Sequence, residues 1–286
     1  MAARYDTVSF LSDYGNADEF VGVVKGVIRD IARHVTVLDL THEIAPHDVR
    51  AGSLALARAI QYVPAGVVLA VVDPGVGTDR RAVAVHVAGG EGVLVGPDNG
   101  LLAPAVAMAG GADRAVELTR AEYHLGEPSA TFAGRDVFGP VAAHLCNGVP
   151  LEELGEPLDP AALLPGVVPL PREEDGKLVC EALWVDRFGN VQLNVGPDEL
   201  ASWGDHVRIE WDGGDQARVA RRATTYDEIT PGAVGLIVDS YGLWSVCLAR
   251  RSAAAELGLA AGDLVTLAPV DERATAPASV SVTFRR

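Results

Sequence analysis

Val67-Val68-Leu69-Ala70-Val71-Val72-Asp73-Pro74-Gly75-Val76-Gly77-Thr78-Asp79-Arg80-Arg81 runs six apolar residues into one carboxylate and then into a Pro/Gly loop. The apolar run predicts a buried strand, Val67–Val72, ending at Asp73. A carboxylate at the C-terminal end of an α/β strand, beside backbone that can approach a ligand closely, sits where such folds keep their chemistry. Arg80 follows seven residues later, and a glycine-rich loop can fold it back onto Asp73. The competing reading is an Asp that caps a tight turn, and for this segment alone it is the stronger one.

Working outward, strand-like and helix-like segments alternate over about the first 150 residues. Strands are expected at Thr7–Leu11, Val35–Leu40, Ala82–Val87 and Gly92–Val95, with helices at Phe20–Arg33, Val49–Tyr62 and Val137–Asn147. That alternation predicts an α/β domain with a mainly parallel sheet. Leu158 to Lys177 changes character, with four prolines followed by Glu173-Glu174-Asp175-Gly176, a linker composition. Beyond it come short strands with turn signals: Leu178–Asp186, Val191–Val195, His206–Trp211, Val234–Val238, Trp244–Leu248 and Leu264–Pro269. They predict a smaller all-β, barrel-like domain. The expected division is residues 1–165 and 176–286.

The 286 residues are 49% hydrophobic and 22% charged, the composition of a globular chain with ample core. A net charge of -16 argues against a nucleic-acid surface, which needs clustered Lys and Arg, but leaves room for a cationic ligand. Cys146, Cys180 and Cys247 are widely spaced in apolar contexts, fitting reduced core thiols rather than disulfides or a zinc site. No segment resembles a signal peptide or a membrane span, so the cytoplasm is the expected compartment.

Asp13 ends the first strand in Leu11-Ser12-Asp13-Tyr14-Gly15, where a carboxylate can accept from a ribose diol; Asp18 either caps the next helix or faces a ligand ammonium. No glycine-rich phosphate loop occurs, which favours a nucleoside without a polyphosphate. His42, Glu43, His47 and Asp48 match no helical zinc spacing and Pro46 interrupts them, so turn and cap roles are preferred, with His47 able to flank a sugar. Pro97-Asp98-Asn99-Gly100 reads as a structural turn. In Thr131-Phe132-Ala133-Gly134-Arg135-Asp136, Arg135 and Asp136 can pair or cap. Asp186-Arg187-Phe188-Gly189-Asn190 is balanced between an amino-acid head-group site and a simple hairpin.

Taken in order, Ser12-Asp13, Asp39-Leu40-Thr41-His42, the Asp73 loop, Pro97 to Gly100, Thr131 to Asp136, Phe188-Gly189-Asn190 and Ser252-Ala253-Ala254 resemble the S-adenosylmethionine (SAM) hydroxide adenosyltransferases, relatives of the fluorinase and chlorinase. The resemblance spans essentially the whole chain. It implies displacement at ribose C5′ of SAM by water, giving adenosine and methionine, in a homotrimer with sites at subunit interfaces and no metal or redox cofactor. It implies Asp13 on the ribose, Asp18 on the methionine end, and His47 near the sugar. From the second domain it implies Asp186, Phe188 and Asn190 on methionine and base, Ser240 on the methionine carboxylate, and the Arg250 to Ala254 turn on adenine. Halogenating members carry Tyr where this chain has Asp73, and a carboxylate repels halide while orienting water. The hydrolase pattern completes an Asp73–Arg80 pair with a His at the position occupied here by Ala133. That substitution implies impaired turnover, and three explanations compete for it: a replaced residue in a working hydrolase, a naturally slow member, or replacement of the His by His124. Halide transfer and silent SAM or adenosine binding are the alternatives.

Overall fold

The computed structural model describes residues 4–126 and 129–270. The chain divides into two compact units at Val168/Pro169. In the first, the strands are β1 (Thr7–Ser12), β2 (Thr36–Thr41), β3 (Gly66–Val71), β4 (Ala82–Val87), β5 (Gly92–Pro97), β6 (Ala112–Glu117) and β7 (Glu156–Leu158). Its helices are α1 (Phe20–Ile31), α2 (Val49–Ala59), α3 (Ala103–Met108) and α4 (Gly139–Cys146), with a π-helical turn, Gly134–Phe138, leading into α4.

The sheet order is β2-β1-β3-β5-β4-β6-β7. Pairings among β2, β1, β3 and β5 are parallel, as expected; those among β5, β4, β6 and β7 are antiparallel. The change of direction has a local cause. Ala88, Gly89 and Gly90 all adopt positive φ between β4 and β5, and a connection that short joins only antiparallel strands.

β3 is buried along its whole length, which is why it reads as a continuous apolar run. Val67, Leu69 and Val71 enter the core beneath α1 and α4, while Val68, Ala70 and Val72 enter the core beneath α2 and α3. α1 buries Val21, Val24 and Ile28, one stripe at helical spacing. Asp48 starts α2 by accepting from the Ala51 amide at 2.8 Å.

Asp98, buried after β5, accepts from Arg81 Nε at 2.9 Å and from the Leu164 amide at 2.8 Å. Asp98→Ala leaves that guanidinium without its counter-charge and the amide without an acceptor. Arg81 is 31% exposed, so the expected loss falls at the low end for a broken buried pair, about 3 kcal/mol, read from the urea unfolding midpoint.

The second unit contains β8 (Arg172–Glu174), β9 (Lys177–Val185), β10 (Val191–Leu193), β11 (His206–Trp211), β12 (Gln216–Ala223), β13 (Val234–Val238), β14 (Trp244–Leu248), α5 (Ala253–Leu257) and β15 (Leu264–Pro269). The order β10-β14-β13-β12-β11-β15-β9 closes on itself through the β9–β10 pairing, a seven-stranded barrel with β8 added to the outside of β9. Closure removes the free strand edges that the short strands would otherwise expose. Leu193, Val207, Ile209, Leu236, Val246 and Leu267 fill the interior.

Candidate active site

Parallel β1, β2 and β3 carry their C-terminal ends to one edge of the sheet, and this alone gathers Asp13, the His42–His47 segment and Asp73. Asp13, Pro46, His47 and Asp73 line a cavity of about 260 Å³ with Tyr14, Ala133 and Gly134.

Of its charged residues, Asp73 is paired with Arg80, which is not itself among the lining residues. Arg80 Nε lies 2.9 and 3.0 Å from the two Asp73 carboxylate oxygens and Nη2 lies 2.6 Å from Oδ2, with side-chain exposures of 16% for Arg80 and 6% for Asp73. The intervening loop makes this possible. Gly77 has φ +78° with the Ala130 carbonyl where a Cβ would stand, and the Thr78 hydroxyl donates to the Gly75 carbonyl at 2.6 Å. The Arg80 guanidinium also lies over the Phe138 ring, 5.2 Å from its centroid. The strand end is fixed from β5, where Asn99 Nδ2 donates to the Val72 carbonyl at 2.9 Å. Thus the Pro97-Asp98-Asn99-Gly100 turn, while structural, holds Asp73 in place.

Asp13 Oδ2 accepts from the His47 backbone amide at 2.9 Å, with His47 held at φ +70°. Asp18 is exposed ahead of α1 and is not among the cavity's lining residues; the residue at the helix N-cap is Glu19, which makes no side-chain cap. Asp48 caps α2, and His42 is buried elsewhere. Among the described residues no group of three or more His, Cys, Asp or Glu is placed to hold a metal ion.

His42 belongs to a chain that sequence reading missed. Ser12 Oγ meets His42 Nδ1 at 2.7 Å, His42 Nε2 meets Asp39 Oδ1 at 3.1 Å, and Lys25 Nζ donates to Asp39 Oδ2 at 2.6 Å. Burial acts against the Asp39 charge, but Lys25 and His42 outweigh it and hold that carboxyl below its usual range. Ser12 and His42 are buried and the imidazole packs on Phe10, so this serine–histidine–aspartate series is scaffolding that pins the end of β1, next to Asp13.

Ala133 is buried and lies at the N-terminus of the π-helical turn. That turn has an identifiable origin. Pro140 has no N–H to give the Asp136 carbonyl, which accepts from the Leu125 amide at 2.8 Å instead, while the Gly139 amide reaches back five residues to Gly134. The buried Asp136 carboxylate accepts from Arg135 Nε at 2.5 Å and the Ser129 amide at 2.8 Å. His124 is not among the cavity's lining residues; its Nε2 is buried without a hydrogen-bond partner among the described residues.

In the barrel unit, a cavity of about 610 Å³ is lined by Asp186, Phe188, Asn190, Tyr226, Ser240 and Arg250, among others. Asp186 commits its acceptors to its own turn: Oδ1 takes the Phe188 and Asn190 amides, each at 2.8 Å, and Oδ2 takes Asn190 Nδ2 at 2.7 Å. The Phe188 ring is left 78% exposed. Gly189, at φ +83°, packs where a Cβ would strike Ser252, and its carbonyl accepts from the Ala254 amide at 2.9 Å. Ala254 therefore supports the Phe188 turn and is not a lining residue. Tyr226, which approaches Asn190, has no counterpart in the sequence reading.

Models of the SAM hydroxide adenosyltransferase N-terminal and C-terminal domains match residues 8–155 and 180–266. A protein of Salinispora tropica named (R)-S-adenosyl-L-methionine hydrolase is 45% identical over 256 residues, 90% of this chain and 95% of that one. A fluorinase of Actinopolyspora mzabensis is more distant, 28% identical over 86% of this chain and 91% of its own. The crystal structure of an uncharacterised conserved protein from Thermotoga maritima superposes with a TM-score of 0.84 at 33% identity, covering 91% of this chain and 99% of that one. Both units, in order and nearly end to end, are thus accounted for, and the chain belongs to the SAM hydroxide adenosyltransferase family.

Proposed function

We propose that this protein hydrolyses SAM to adenosine and methionine, with no cofactor required. The observation that carries the reading is Asp73, lining the cavity at the sheet edge and held there by Arg80. In the step, a water oxygen bonds to ribose C5′ while the C5′–S bond breaks. The sulfur keeps that electron pair and becomes the neutral thioether of methionine, and one water proton passes to Asp73 or to solvent. The sulfonium already leaves readily, so the protein's work is to hold water in line and to accept its charge. Arg80 fixes the carboxylate's orientation, and the negative charge favours water over halide.

Asp13 is assigned to the ribose, His47 to the sugar's flank and Asp18 to the methionine end. Phe188, Asn190, Ser240 and the Arg250 turn are assigned to methionine and adenine. We further infer a homotrimer with sites at subunit interfaces, acting in the cytoplasm; light scattering giving a monomer mass overturns the trimer. Among the described residues, no helix is long and apolar enough to cross a membrane.

The test is incubation with SAM in ¹⁸O-water containing chloride. Adenosine labelled at its 5′-oxygen is the expected product. Chlorodeoxyadenosine in its place overturns water selection, and tight SAM binding without turnover, in this chain and in Ala133→His, identifies a binding protein.

A further inference from the structure

Tyr14 follows the strand-end Asp13 and would ordinarily be counted as core. Its ring does pack edge-on against Phe10 and Phe132, with centroids 6.4 and 5.6 Å apart. Its hydroxyl is placed otherwise. The phenol oxygen lies against Gly134 so closely that a Cβ there would collide with it, and the nearby Gly134 amide acts to lower the phenol's pKa. That amide is one of the first N–H groups of the π-helical turn, the kind with no acceptor inside its own helix, and Ala133 has no side-chain atom to cap it.

The polarity of this close approach matters. A backbone N–H offers no acceptor, so a phenol oxygen beside Gly134 keeps its own proton free to donate elsewhere. Tyr14 and Gly134 line the same cavity as Asp13, Asp73 and Ala133. A water attacking carbon gives one hydrogen to Asp73 and turns one lone pair toward the carbon. Its other lone pair is free to accept from a donor, and such a contact fixes its orientation. At the Ala133 position the wall offers only a methyl group.

Resting on the hydrolase reading above, we propose that the Tyr14 hydroxyl is the second hydrogen-bond partner of the attacking water, donating to it beside Ala133. Burial is the main reason the phenol stays protonated, raising its pKa far above the ordinary value. Asp13 and Asp73 add to the rise, while Arg80 and the Gly134 amide oppose it. Tyr14 is therefore a donor throughout the working pH range and contributes no titration of its own there. Gly134 is the companion requirement, because any side chain at that position displaces the hydroxyl.

The test is a double-mutant cycle on the full-length protein, using Tyr14→Phe, Ala133→His and their combination, with SAM as substrate and adenosine as readout. Tyr14→Phe keeps the ring packing and removes only the hydroxyl. In the chain as it stands it is expected to lower kcat by about tenfold or more while KM moves less than about threefold. In the Ala133→His background, where an imidazole supplies the missing partner, the same change is expected to cost less than about threefold. A Tyr14 that merely caps the π-helical turn lowers the unfolding temperature and lowers kcat by the same factor, or not at all, in both backgrounds; either result overturns the proposal. An unsubstituted chain that makes no adenosine while Ala133→His does so also overturns it, and leaves the hydrolase reading standing. Absence of adenosine from both overturns the hydrolase reading itself.

Discussion

Asp73→Asn is expected to lower the rate of adenosine formation by about 10²- to 10⁴-fold while SAM still binds. The amide keeps the size and planarity of the carboxylate but neither takes a proton nor carries the charge that Arg80 now meets through Nε and Nη2. With Asp73 only 6% exposed, solvent cannot replace the lost counter-charge efficiently, so part of the effect reaches stability as well. Thermal unfolding with and without SAM separates the two: a shared ligand-induced rise in Tm shows an intact binding site, and the kcat ratio then reports the chemistry. Arg80→Lys gives the companion measurement. A lysine ammonium is a point charge and cannot span both carboxylate oxygens as the guanidinium does, so an intermediate loss is expected. Unchanged kcat in Asp73→Asn would remove Asp73 from the reaction and with it the electrostatic reason for choosing water over halide.

The parts of this site legible in the sequence were those fixed by strand ends. A six-residue apolar run has few places to go in an α/β domain, so Asp73 could be placed at its end before any register was known. Asp13 followed from the same logic one strand earlier. The Ser12–His42–Asp39 chain was not legible, because its members come from two strands and meet only through the parallel register that sets Phe10 opposite Asp39 and Leu11 opposite Thr41. Tyr14 is not legible because an aromatic beside a strand reads as core, and nothing local shows that its hydroxyl will lie against Gly134, more than a hundred residues away. The π-helical turn did leave a signal: Pro140, four residues after Asp136, removes an interior helical hydrogen bond. β12 was missed for a different reason. Its sequence Gln-Ala-Arg-Val-Ala-Arg-Arg-Ala lacks apolar alternation because half of the strand is exposed and Ala220 is its one buried member. Asp186 shows the limit of reading residue types, since the same Asp–Phe–Asn pattern serves a ligand or a hairpin, and here the carboxylate accepts from the turn itself.

Ala133→His is expected to raise kcat by about a hundredfold, the scale on which a positioned acid–base group acts. Position 133 has φ -59° and ψ -27°, ordinary right-handed helical values that histidine adopts without strain. The residue lines the cavity that holds Asp73, so an imidazole has open space on that side even though the methyl group it replaces is buried. An imidazole there would share the cavity with the Asp73 carboxylate, and it is expected to titrate in the range ordinary for histidine. The rate gain should therefore arrive with a new limb in the pH profile of kcat in that range, absent from the unsubstituted chain, where Tyr14 is already fully protonated. This pH signature distinguishes a chemical gain from tighter packing, which would raise stability and leave the shape of the profile unchanged. A variant that binds SAM as before, yet shows neither the higher kcat nor the new limb, places the attacking water away from position 133. The Asp73–Arg80 pair would then have to act without a partner on that wall.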